Sequence, residues 1–170
     1  MRVFLDFEAS SLSKTSYPIE IGWVFEDGTT AGHLIRPAPS WTDWDERAAA
    51  IHGITREQLQ AEGRPHEEVC RLMVDALTGH SLYASVPSWD GKWLSVLLRT
   101  SGFPRHLLRL RDSEEAFVEA ATARLGAAAT DTLIAQVIAT ARATVEVWPP
   151  DHRAVSDARR EWEIWREIAG

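Results

Sequence analysis

Residues 1–8 (MRVFLDFE) place two carboxylates two residues apart inside a short apolar run, and this constrains the fold more than any other feature of the chain. Val, Phe and Leu in such a run mark a buried strand. Side chains at i and i+2 share one face of a strand, so Asp6 and Glu8 project together while Phe7 points to the opposite face. Like charges on a central strand carry a heavy desolvation penalty unless something neutralises them. A divalent cation does so, and carboxylate oxygens are the ligands that Mg²⁺ and Mn²⁺ prefer. The plainer alternative puts both acids at a solvated strand end. On the Asp-x-Glu pair alone, that alternative is the stronger.

The rest of the chain supplies the frame for such a strand. Residues 18–26 and 30–36 read as two more strands, with Glu26-Asp27-Gly28-Thr29 as an Asp-Gly hairpin turn, so the first three strands form a meander. A short helix is expected over 45–51, interrupted by His52-Gly53, and Thr55 with Gln58 makes a capping box for the next turn. Pro65 opens a helix to about Leu77, with Val69, Leu72, Met73 and Leu77 on one face. Residues 81–86 read as a fourth strand and 88–100 as a helix with Trp89, Trp93, Val96 and Leu97 in its apolar stripe. A fifth strand around 106–111 precedes helices over 113–125, 131–142 and about 153–168. Strands first, then strands alternating with helices, give an α/β domain with a mixed sheet. At 170 residues the chain fits a single domain, 1–170, able to bury a real core.

Composition narrows the function classes. Hydrophobic residues make up 45% and charged residues 25%, so the bulk of the chain is expected to be ordered. Proteins that track long nucleic acid carry a basic footprint, whereas this chain has a net charge of −7. A tight long-duplex binder is thereby disfavoured, while an enzyme acting on short ends stays open if cations offset its carboxylates. The single cysteine, Cys70, excludes an internal disulfide and lies in an apolar helical pattern as a buried small hydrophobe. With no apolar run of the ~18 residues a membrane span needs, and a carboxylate already at position 6, the expectation is a cytoplasmic protein without membrane contact.

Two further acidic elements join the first. Asp90 lies at the start of a helix just after a strand, where α/β folds place their sites, although on this residue alone an ordinary first-turn acid complementing the helix dipole is the stronger reading. In Asp151-His152-Arg153-Ala154-Val155-Ser156-Asp157, a spacing of five on one continuous helix would separate His152 and Asp157 by ~140°. Pro149 and Pro150 hold the preceding chain extended, so His152 can sit in the loop leading into the helix while Asp157 projects from its first turns. Read alone, the motif is balanced by a polar loop histidine and a surface acid.

Together these elements resemble the DEDDh (DnaQ-like) 3′-5′ exonuclease superfamily. Residues 5–12 (LDFEASSL) are similar to its first motif, commonly Asp-x-Glu-Thr-Thr-Gly-Leu. Ile51-His52-Gly53-Ile54-Thr55 resembles a segment seen in many members, and His152-Arg153-Ala154-Val155-Ser156-Asp157-Ala158 resembles the usual His-Arg-Ala-x-x-Asp-Ala. The resemblance runs from 3 to about 168. Two departures stand out: Ser88-Trp89-Asp90 where relatives have Asn and Phe ahead of the acid, and Ala9-Ser10-Ser11 in place of Thr-Thr-Gly. Neither removes a ligand, and both alter the surface on which a terminal nucleotide would lie.

The resemblance implies a ribonuclease H-like fold with a five-stranded mixed sheet flanked by helices. It implies two divalent ions, Mg²⁺ or Mn²⁺, held by Asp6, Glu8, Asp90 and Asp157. Asp6 would bridge both, Glu8 and Asp157 would serve the ion that activates water, and Asp90 would support the second. His152 would be the general base, a task suited to a side chain whose unperturbed pKa is ~6.5. The implied activity is release of nucleoside 5′-monophosphates from the 3′ ends of single-stranded DNA or RNA, with short ends favoured by the acidic charge.

Binding of the 3′ end falls to Leu12, His52 and Ile54, where a hydrophobic wedge would fray the terminus. Leu12 and Ile54 read equally well as core residues. Trp23, Trp93, Trp162 and Trp165 fit core faces, whereas Trp41 and Trp44, in the loop PSWTDWDE, are harder to bury and could stack, dimerise or act as a lid. His33, His66, His80 and His106 lack ligand-like spacing. A rival reading is an accessory or proofreading-type module that binds a polymerase, but no docking tail is expected beyond the last helix. A catalytically dead binding module would lack a ligand, and all five signature positions are filled.

Overall fold

The computed structural model describes residues 1–147 and 149–170. Its apolar first segment forms β1 (Arg2–Ala9), which lies between two neighbours in the sheet. On one side β2 (Pro18–Phe25) pairs antiparallel with it, and β3 (Thr30–Arg36) continues the meander through the Asp27-Gly28 turn. After α1 (Glu46–His52) and α2 (Arg56–Glu62), the chain adds β4 (Arg64–Pro65) to the edge of β3 and enters α3 (His66–Leu77). Next come β5 (Ser81–Ala84), parallel to β1, then α4 (Pro87–Thr100) and β6 (Leu110–Asp112), parallel to β5. Helices α5 (Ser113–Leu125), α6 (Asp131–Val145) and α7 (Ala154–Ala169) complete the chain.

The sheet order is β4-β3-β2-β1-β5-β6, a mixed sheet of six strands where the resemblance implied five. The extra strand is the two-residue β4. Pro65, expected inside the helix, instead precedes it with an extended backbone, φ −50° and ψ 138°. The strand expected over 106–111 is shorter and later, because β5 offers only Leu82, Tyr83 and Ala84 as partners. Half of the expected capping box forms: Thr55 Oγ1 accepts from Gln58 N at 3.1 Å, but the Gln58 amide turns forward to Glu62. A complete box closes the start of α5 instead, from Asp112 and Glu115.

Alternation along β1 separates two cores. Val3, Leu5 and Phe7 pack with Ile21, Trp23, α3 and α4. Phe4 faces the other way, against Tyr83, Phe117 and Trp165, with ring centroids 5.6, 6.4 and 6.0 Å away. Asp6 and Glu8 share the Phe4 face, the face covered by α7. Cys70 and the four tryptophans expected in the core are buried. Among the described residues no helix is long and apolar enough to cross a membrane.

Candidate active site

Asp6 and Glu8 stand on the C-terminal half of β1 and meet Asp157 from the first turn of α7. One carboxylate oxygen from each of the three lies within 4.8 Å of the others. Asp90 enters from the first turn of α4, 3% exposed, and its Oδ1 accepts a hydrogen bond from Phe7 N at 3.2 Å. That bond ties the fourth acid to the backbone between the other two.

The electrostatics of the cluster favour protonation in the absence of cations. Burial, reinforced by Asp157, Glu20 and Asp90, raises the Glu8 carboxyl to about 8, with Arg153 opposing. Burial also lifts Asp90 to about 7, despite backbone N–H groups that favour its ionised form. Asp6 is raised by burial and by Asp90, Glu8 and Asp157, and Asp157 is raised chiefly by burial. Hard cations fit a set of converging, poorly solvated oxygen donors of this kind. Glu161, four residues beyond Asp157 on α7, adds a further carboxylate whose ionisation burial disfavours. Sequence reading passed it over, although an i, i+4 spacing from Asp157 was there to see.

His152 lies two residues before α7 with φ 54°, a left-handed backbone that costs a non-glycine residue about 1 kcal/mol or more. The chain therefore turns at His152 itself, which frees its side chain from the helical spacing to Asp157. Asp151 Oδ1 accepts from Arg153 N at 3.2 Å and closes the turn.

His152 and Glu8 border a cleft of about 540 Å³, whose other walls include Leu12, Ile51, His52 and Trp93. Leu12 is 69% exposed and Ile51 59% exposed. Ile54, expected on this wall, is 1% exposed and packs with Tyr17, Ile19 and Leu59. The correction has a local cause. Gly53, at φ 70°, terminates α1 and turns the chain, leaving Ile51 on the cleft and Ile54 in the core. His52 Nδ1 accepts from Ile54 N at 3.1 Å, and burial lowers the pKa of its ring.

The loop carrying Leu12 is built on Asp43, which accepts from Ser10, Ser11 and Ser13 hydroxyls at 2.9, 2.6 and 2.9 Å. Burial works against its charge, yet these hydroxyls and that of Thr15 hold its carboxyl below the usual range. The serines that depart from the family motif thus have a partner in this chain. Trp41 stacks on Tyr17, with centroids 5.2 Å apart, and Trp44 meets His52 edge-on while Arg56 covers its ring. Both rings are half-buried and engaged within the fold.

No family model and no curated protein matches the chain. Solved structures do. An Escherichia coli exonuclease I–single-stranded DNA complex in its zinc-bound form superposes with a TM-score of 0.67 at 15% identity, covering 95% of this chain and 38% of its own. Exonuclease I from Methylocaldum szegediense gives 0.70 at 15% identity, with 98% and 40% covered. The E. coli enzyme in complex with a dT13 oligonucleotide gives 0.67 at 14% identity, with 95% and 39% covered. The chain spans about two fifths of the length of these proteins. The likeness is one of fold: the chain has the ribonuclease H-like α/β architecture of these exonucleases.

Proposed function

We propose that this chain is a metal-dependent 3′-5′ exonuclease that removes nucleoside 5′-monophosphates from single-stranded nucleic acid. The observation that carries the reading is the convergence of Asp6, Glu8 and Asp157 within 4.8 Å, with Asp90 fastened beside them. Carboxylates whose ionisation is this disfavoured are suited to cation binding, since a divalent charge relieves their mutual repulsion.

Asp6, Glu8 and Asp157 would hold one ion, with Asp90 on the side where a second would sit. Bound divalent ions supply the positive charge that acidifies water and neutralises the leaving 3′-oxygen. His152, on the wall of the cleft with Glu8, takes the proton from the attacking water. Water oxygen bonds to phosphorus, the bond from phosphorus to the 3′-oxygen breaks, and the phosphate leaves on the released nucleotide. Leu12 and Ile51 grip the terminal base between exposed apolar side chains, and His52 forms the wall beside it. The fixed Asp43 anchor keeps Leu12 presented.

The test is release of mononucleotides from 3′- and 5′-labelled single-stranded DNA and RNA with Mg²⁺, Mn²⁺ or EDTA, alongside Asp6→Ala. Metal-dependent shortening from the 3′ end, abolished in Asp6→Ala, is the expected result, and the DNA-to-RNA ratio assigns the sugar. A folded, metal-binding protein that shortens neither polymer overturns the reading.

A further inference from the structure

Glu20 is an acid within β2. It pairs with Glu8 in the β1–β2 ladder and is 6% exposed, yet it lies outside the converging set of Asp6, Glu8 and Asp157. Both of its oxygens are engaged elsewhere. Arg153 Nη2 donates to Oε1 at 2.6 Å, and Arg153 Nε donates to Oε1 at 3.2 Å and to Oε2 at 3.0 Å. Ala154 N donates to Oε2 at 3.1 Å.

Those donors sit at one point of the chain. Arg153 is the N-cap of α7 and makes no side-chain cap of its own. Glu20, 134 residues earlier than Ala154, supplies the missing acceptor from the sheet. A carboxylate at a helix N-terminus is favoured by the unpaired N–H groups and by the dipole, and a forked guanidinium restricts its direction. On one side of the gripped residues is His152; on the other is Asp157, whose N–H donates to Arg153 O at 2.9 Å. The one guanidinium also opposes the raised pKa of Glu8.

We infer that Glu20 and Arg153 form a positioning clamp that sets His152 and Asp157 against the β1 carboxylates, with neither residue serving as a metal ligand. The inference rests on the exonuclease reading for its kinetic consequences and on the carboxylate cluster alone for its effect on metal binding. A displacement near 1 Å at such a site lowers turnover by ~10²-fold. Loss of a residue that orients a metal ligand weakens metal affinity by ~10–100-fold.

The experiment uses the full chain as Glu20→Gln, Arg153→Lys, Arg153→Ala and the double variant Glu20→Gln/Arg153→Ala. Melting temperature, Mn²⁺ affinity by calorimetry, and kcat and KM on a 3′-labelled oligonucleotide are measured for each. Glu20→Gln is expected to lower kcat by ~10-fold or more and weaken Mn²⁺ binding by ~10-fold or more, with KM nearly unchanged. Arg153→Lys, which keeps the charge and loses the fork, should recover part of what Arg153→Ala loses, and the double variant should lose no more than the worse single. A lowered melting temperature with wild-type kcat and Mn²⁺ affinity overturns the inference by making the pair merely structural. If Glu20→Gln does not fold, the half-exposed Arg153 variants decide alone. If the wild-type chain degrades no oligonucleotide, the exonuclease reading fails, and Mn²⁺ affinity decides the clamp: unchanged binding in the variants rejects it.

Discussion

Gly22 stands directly across the ladder from Asp6, and a Cβ at that position would overlap the backbone of Val155 at the start of α7. Its neighbour across β3, Gly32, receives the Val155 side chain. The helix that carries Asp157 therefore reaches β1 because two facing glycines leave it room.

Gly22→Ala should push α7 outward and separate Asp157 from Asp6. Overpacking of a tight core costs ~1–3 kcal/mol, and the obstacle here is backbone, so the upper part of that range is expected. Thermal melting and Mn²⁺ titration read both effects. Gly32→Ala overlaps the Val155 side chain and not the helix backbone, and should lose less. Equal losses in the two variants would contradict this ranking.

The metal-free protein should lose stability as pH rises. Glu8 moves from 4.5 to about 8 and Asp90 from 3.8 to about 7 on folding, so both contribute fully below pH ~4 and lose that contribution as pH passes through 7 and 8. In EDTA the melting temperature is expected to fall between pH 5 and 8. Mn²⁺ at pH 8 should raise it again, because the ion binds the folded state. A flat profile in EDTA would mean that the carboxylates are solvated well enough to ionise freely.

His152→Ala should reduce turnover by ~10²–10⁴-fold, the range for removal of a general base. Mn²⁺ affinity should stay close to wild type, since the acids converge without the imidazole. A loss smaller than tenfold would remove His152 from the chemistry.

Leu12, Ile51 and Ile54 should separate cleanly. Leu12→Ala and Ile51→Ala truncate exposed side chains on the cleft and should raise KM for an oligonucleotide with little change in melting temperature. Ile54→Ala empties a core position and should cost ~2–5 kcal/mol of stability while sparing KM. If Ile54→Ala raised KM without loss of stability, the assignment of the cleft wall would be wrong.

Much of the fold is legible in the residues themselves. The alternation that puts Asp6 and Glu8 on one face and Phe7 on the other is a property of consecutive residues, as are the Asp27-Gly28 turn and the apolar stripes of α3 and α7. Those periodicities determined the α/β order and the face to which the acids belong. Pro149 and Pro150, ahead of the last helix, placed Asp157 in its first turns.

What only the tertiary structure decided depends on partners far away in the chain. β4 exists only because Arg64 and Pro65 come beside Ile35 and Arg36, the short β5 limits β6, and the turn at Gly53 leaves Ile51 exposed and Ile54 in the core. Glu20 looks like any strand acid until Arg153 is brought to it across 133 residues. Periodicity reports which side of an element a residue occupies; hydrogen-bond partners and burial depend on what packs against that side, and that is set only when the chain has folded.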